Sequence, residues 1–177
     1  KAKTRDKPTE EQMMEAMMKA GTPGRAHKEF AQSTGKWKTV AKTWSHIDPD
    51  AAPLSSEGTS MLEMAMDGRY LIENYSGEMP GMGPFEGMGI LAFNNVTGEY
   101  EHIWLDSTST GVMYSSGTEQ DGVMTLTGQF ADPMSGEMMQ SRSVSKKVSE
   151  NERFFEMFCT VEGEELKMME ITYTRGR

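Results

Sequence analysis

Tyr100, His102, Trp104 and Asp106 occupy alternate positions in the run Glu99-Tyr100-Glu101-His102-Ile103-Trp104-Leu105-Asp106. On a β-strand, period two places all four on one face. An imidazole and a carboxylate that share a face are the minimal equipment for general acid–base catalysis. An isomerase or hydrolase built here would use His102, Asp106 or the neighbouring Glu86. Two features argue against it. Residues four apart on a strand lie about 13 Å apart, and no third group in the sequence orients the imidazole. The plainer reading packs Trp104 and lets Asp106 cap a turn, so no catalytic residue is assigned.

A second candidate is an internal cation. Arg142 lies in Met138-Met139-Gln140-Ser141-Arg142-Ser143-Val144 and shares its period-two face with Met138, Val144 and Val148. An apolar face is expected to turn inward and to carry Arg142 with it. A guanidinium there suits the bidentate grip of a ligand carboxylate. The alternatives are an ion pair with Glu86, Glu156 or Glu170, or a strand end facing water, because buried charge demands a permanent partner.

Metal chemistry has one soft-ligand pattern. Met79 and Met82 in Glu78-Met79-Pro80-Gly81-Met82-Gly83 suit Cu(I), and equally suit a sticky loop rim. His27, His46 and His102 are widely separated and lack zinc-site spacing. Neither His46 nor His102 is singled out as a haem ligand. No metal and no cofactor is assigned.

The chain carries 18 methionines in 177 residues. Met is flexible and polarisable, and suits irregular cores and adaptable binding surfaces. Met61, Met64, Met66, Met88, Met113, Met124, Met157 and Met169 would line a cavity with Leu126, Phe130, Phe155 and Ile171. A filled core made of the same residues is the competing reading.

Composition excludes several classes. Asp and Glu number 27 against 18 Lys and Arg, a formal charge of −9. That surface repels phosphate backbones and anionic membranes, so nucleic acid is not an expected partner. No apolar run is long enough for a helical membrane span. The single cysteine, Cys159, sits among Phe154, Phe155, Met157 and Phe158 and reads as a packed thiol. The chain begins at Lys1, which fits a removed leader, and leaves the compartment open between cytoplasm and a secreted or periplasmic location.

These candidates must be positioned by short elements. Thr9 with Gln12 three residues on forms a capping box for a helix carrying Met13, Met14, Met17 and Met18, ended by Gly21, Thr22 and Pro23. This Met-rich face is expected to cap a barrel mouth or pack on the barrel's outside. Residues 27–32 read as a bridge, of one helical turn at most, into the first strand. Strand-like runs follow at 36–46, 54–66, 69–76, 85–93, 99–106, 111–117, 122–130, 137–148, 153–161 and 165–175. Asp67-Gly68, Asn94-Asn95, Asp121-Gly122, Glu150-Asn151 and Glu162-Gly163 separate them as turns. A meander of about ten strands has bare edges unless the sheet closes. The expectation is therefore all-β: one up-and-down antiparallel barrel over 25–177, behind a tail and short helix over 1–24.

Gly35-Lys36-Trp37 at the first strand resembles the signature of lipocalin-type barrels. That likeness implies a Trp37 plug at the closed end with Arg175 packed across it. Gly68-Arg69-Tyr70-Leu71, Pro84-Phe85-Glu86-Gly87-Met88-Gly89, Tyr100 with Trp104-Leu105-Asp106-Ser107, and Met168-Met169-Glu170-Ile171-Thr172-Tyr173-Thr174-Arg175 resemble, in order, the bacterial domain-of-unknown-function family 1579. The likeness covers about 30–175 and implies a lipocalin-like (calycin) barrel without an established activity.

The function expected from all this is non-enzymatic binding of a small apolar or amphipathic molecule. Met88, Met124, Phe130, Met157 and Met169 would line the site, and Trp104, Arg142 and Tyr173 would orient the polar end. The reading from another class is a filled barrel acting as an interaction module, its Met-rich helix docked on a second copy as a homodimer.

Overall fold

The computed structural model describes residues 7–45, 48 and 51–176. Two helices, α1 (Glu10–Gly21) and α2 (Arg25–Ser33), precede ten strands. These are β1 (Gly35–Thr43), β2 (Leu54–Ala65), β3 (Tyr70–Met79), β4 (Gly83–Asn94), β5 (Glu99–Asp106), β6 (Met113–Gln120), β7 (Val123–Ala131), β8 (Met138–Ser149), β9 (Glu152–Val161) and β10 (Glu164–Arg175). Two-residue turns set the order. Asp121-Gly122 joins β6 to β7 and Glu162-Gly163 joins β9 to β10, with φ positive at both residues of each turn. That backbone hand matches the twist of the flanking strands. Each strand pairs antiparallel with its sequence neighbours, and β1 pairs with both β2 and β10, closing the barrel. Closure leaves no sheet edge. Among the described residues no helix is long and apolar enough to cross a membrane.

β1 fixes which face is inside. Trp37, Thr39 and Ala41 are buried, while Lys36, Lys38, Val40 and Lys42 are exposed. Residues opposite each other on a ladder share a face, so the register carries this phase round the barrel. Trp37 faces Ser60 and Arg175, and Thr39 faces Gly58 and Tyr173.

One end is plugged. α2 contributes the buried Ala26, His27 and Phe30. Phe30 stands edge-on to Tyr100 at 6.0 Å, and Phe93 to Tyr100 at 5.0 Å. The Trp37 Nε1–H donates to the Ser33 carbonyl at 2.9 Å. The Arg175 guanidinium lies over the Trp37 ring at 4.3 Å. Its Nη1 and Nη2 donate to the carbonyls of Thr34 and Gln32, each at 2.8 Å.

The plug corrects the expectation for the N-terminus. α1 has the capping box that Thr9 and Gln12 imply, but none of its residues is buried. Met13, Met14, Met17 and Met18 neither cap the barrel nor pack on it; all four are exposed. The helix is held only at its C-terminal end, where Asn95 Nδ2 donates to carbonyls including that of Thr22 (2.8 Å) and Arg69 Nε donates to that of Gly21 (3.0 Å). Residues 27–32, read as a bridge of one helical turn, belong to the longer helix Arg25–Ser33 that does the plugging.

Candidate functional site in the barrel interior

β5 turns the face expected of it inward. Trp104 pairs with Gly89 and Asp106 with Gly87, and the indole lies diagonally across β4. A Cβ at position 87 would stand 2.3 Å from Trp104 Cζ2, so only glycine leaves room for the ring. Trp104 Nε1–H donates to Asp106 Oδ2 at 2.9 Å, and Asp106 Oδ1 accepts from the Thr108 hydroxyl at 2.6 Å. Asp106 is thereby committed to the indole and the following turn. The His102 ring stands tilted against Trp104, 6.4 Å between centroids. His102 and Asp106 thus share a face without forming a pair, and Glu86 lies on the opposite face between Phe85 and Gly87. The geometry does not bring the three together.

Another inner-face carboxyl group, which the sequence reading passed over, borders the same glycine as His102. Glu73 pairs with Leu62 and Gly89 on the inner face. A Cβ at position 89 would meet His102 Nε2 at 3.1 Å and Glu73 Cβ at 3.4 Å, so both side chains border the space above that glycine. Ser60 Oγ–H donates to Glu73 Oε1 at 2.6 Å. The Tyr173 hydroxyl, from β10 three strands round the barrel, also hydrogen-bonds Glu73. Burial raises the pKa of Glu73, and these two hydrogen bonds offset part of the rise. Burial pushes the Tyr173 phenol well above its usual range, with the Glu73 charge adding to it. Burial pushes the His102 imidazole down to about 4, so it is neutral at physiological pH. Yet none of the three is sealed off: Glu73, His102 and Tyr173 all keep partial solvent exposure. They are deep groups bordering internal space.

Arg142 is placed opposite to expectation. It pairs with Thr127 and Phe158 on the outer face, where its guanidinium covers the Phe158 ring at 4.3 Å. Nε and Nη2 each donate to the Glu165 carboxylate at 2.7 Å. The inner face of β8 is instead Met139, Ser141, Ser143 and Ser145, read from their pairing with β7 and β9. Met138, Val144 and Val148 are therefore outside, because β8 presents its small polar residues to the interior.

The other lining residues divide. Met124 packs against the buried cluster of Leu126 and Tyr100. Met157 and Met169 pair with each other on the inner face, and Phe130 pairs with Met139. Met88 pairs with Asn74 and Leu105 on the outer face and is 42% exposed. Met61 likewise faces out and Met66 sits in the β2–β3 turn. Buried Cys159 pairs with Ser141, its thiol pushed up to about 11 by burial and then by Asp132. Met82 is 72% exposed in the turn it shares with Met79. Among the described residues no three His, Cys, Asp or Glu side chains come together to hold a metal. His46 lies outside the described residues.

A closed ten-strand up-and-down barrel, plugged at one end by a helix and bearing an internal Glu–Ser–Tyr cluster, defines the class of protein. The chain belongs to the family described as "Protein of unknown function (DUF1579)", whose model matches residues 22–175. Among solved structures it is similar to Rv2717c from M. tuberculosis, with 12% identity and a TM-score of 0.60, over 88% of this chain and all of that one. That likeness shows the fold alone. A protein of unknown function from the DUF3598 family of Nostoc punctiforme aligns at 8% identity and a TM-score of 0.24, over 87% of this chain and all of that one. No curated protein matches the chain.

Proposed function

We propose that this protein binds a small amphipathic molecule inside the barrel, without chemistry of its own. One observation carries the reading. Part of the inner face is built from side chains too small to fill a ten-strand barrel: Ala41, Ser56, Ser115, Ser141, Ser143 and Ser145. Barrels of this size fill with their own side chains or hold a ligand. Phe155, Met157, Met169 and Ile171 give one wall an apolar surface. Serines and the Glu73 cluster give the remainder hydrogen-bonding partners, which is the mixture that favours an amphipathic over a purely apolar guest.

The test adds 8-anilinonaphthalene-1-sulfonate to the intact folded chain, alongside native mass spectrometry of the protein as purified. Saturable one-to-one dye enhancement is expected, abolished by Ser143→Trp, whose indole would occupy the middle of the barrel. No bound small molecule and no saturable dye binding, or dye binding indifferent to Ser143→Trp, would sink the reading.

A further inference from the structure

Arg153 is an anomaly among the cations of this molecule. It begins the inner face of β9, in phase with Phe155, Met157 and Cys159, and pairs with Tyr173 on β10. Its Nε is buried and has no hydrogen-bond partner, a condition met by no other buried side-chain nitrogen or oxygen among the described residues. Native structures leave few such groups, and each one calls for a missing partner.

The other cations nearby are engaged. Arg142 grips Glu165, Lys167 meets Glu156 and Glu170, and Lys147 meets Glu150. Arg175 donates to three backbone carbonyls. Arg153 has the Trp37 ring, 5.2 Å from its central carbon, and feels the charge of Glu150, a carboxylate already held by Lys147, but its Nε has no hydrogen bond. An aromatic face stabilises the charge but leaves in-plane N–H donors unused, and a guanidinium has five of them. The inner carboxyl group of Glu73 is taken by Ser60 and Tyr173. Burial disfavours the charge on Arg153 and the neighbouring Arg175 adds to that, while Glu150 offsets part of it.

We propose that Arg153 anchors the carboxylate of the ligand at the plugged end of the barrel, its aliphatic part running past Phe155 and Met157. The proposal rests on the ligand-binding reading above and names the chemical class of the guest: a short-chain amphipathic carboxylate. The planar carboxylate matches the guanidinium fork, and Tyr173 on the adjacent strand flanks the same position.

The experiment compares octanoate with 1-octanol at pH 8 by isothermal titration calorimetry, using the full chain and Arg153→Gln. The wild type is expected to bind octanoate at least about tenfold more tightly than octanol, the usual scale for a charge-assisted contact. Arg153→Gln should bind the two alike, with octanol affinity unchanged. Arg153→Lys keeps the charge but loses the fork, and should retain only part of the preference. It serves as the variant if Arg153→Gln fails to fold. Equal wild-type affinity for acid and alcohol overturns the anchor and leaves the ligand-binding reading standing. An undiminished preference in either variant also overturns it. Binding of neither compound overturns both.

Discussion

Gly87→Ala tests the internal architecture most directly. The new methyl carbon would lie 2.3 Å from Trp104 Cζ2 and 2.7 Å from Cη2. Ordinary contact needs over 3.4 Å, so the ring must retreat by about 1 Å, a displacement on the scale that overpacked cores resist at about 1–3 kcal/mol. Retreat also strains the 2.9 Å hydrogen bond from Trp104 Nε1 to Asp106, of a type worth about 1.5–3 kcal/mol. The two terms overlap, since one movement causes both, and a loss of about 2–4 kcal/mol is expected. Gly89→Ala is the internal control. Its nearest contacts would be His102 Nε2 at 3.1 Å and Glu73 Cβ and Trp104 Cε3 at 3.4 Å, which a few tenths of an ångström of adjustment relieves. It should cost under about 1 kcal/mol. Urea unfolding followed by far-UV circular dichroism measures both, and the tryptophan emission maximum, to which Trp37 and Trp44 also contribute, shifts with the environment of Trp104 in the Gly87 variant. Equal stabilities for the two variants, or a Gly87→Ala protein with wild-type stability and emission, would refute the placement of the indole across β4.

Two pH-dependent predictions have opposite signs. His102 has a folded pKa of about 4 against about 6.5 unfolded, so between those values the unfolded chain binds a proton the folded chain does not. Stability then rises with pH through this window, and about 3 kcal/mol is lost on acidification from pH 7 to pH 4. His102→Gln should remove most of that loss in urea titrations at the two pH values; an equal loss in both proteins rejects it. Glu73 is shifted the other way, upward by burial. Its folded form holds a proton above the unfolded pKa, so its contribution falls as pH rises toward the folded value and is flat below the unfolded one. Glu73→Gln should therefore match the wild type in acid and exceed it at pH 8, by about 1.4 kcal/mol for each tenfold difference in proton affinity. A Gln variant less stable than wild type at pH 8 would contradict an internal carboxyl whose burial outweighs its two hydrogen bonds.

The barrel was legible because its cues are local. Asp121-Gly122 and Glu162-Gly163 force tight hairpins, and tight hairpins make sequence neighbours into spatial neighbours. Gly35-Lys36-Trp37 marked the plugged end because Trp37 is the one large residue whose face and depth the motif fixes together. The plug itself was harder to see. α2 has only nine residues, too few for a clear helical period, and buries three side chains beyond Ser33. α1 has the better sequence pattern yet covers nothing, because its capping box and Met spacing specify a helix and say nothing about what it touches.

The error over Arg142 shows where alternation stops. Period two separates two faces of a strand without stating which is inside. Apolar neighbours decide the question only when the interior is filled with apolar side chains. In β8 the inner positions are Ser141, Ser143 and Ser145, and Val144 pairs with Glu156 on the outer wall. The better guide was phase with residues already known to be buried. Glu73 stands between Leu71 and Tyr75, both buried, and Arg153 continues the series Phe155, Met157, Cys159. A charged residue in step with its strand's most buried members must be inside whatever its other neighbours are, since moving it out would move them too. On that rule Glu73 and Arg153 stand inside the barrel on nearly opposite walls. They do not meet: Glu73 is closed by hydroxyl groups, and Arg153 is left with donors that a guest can fill.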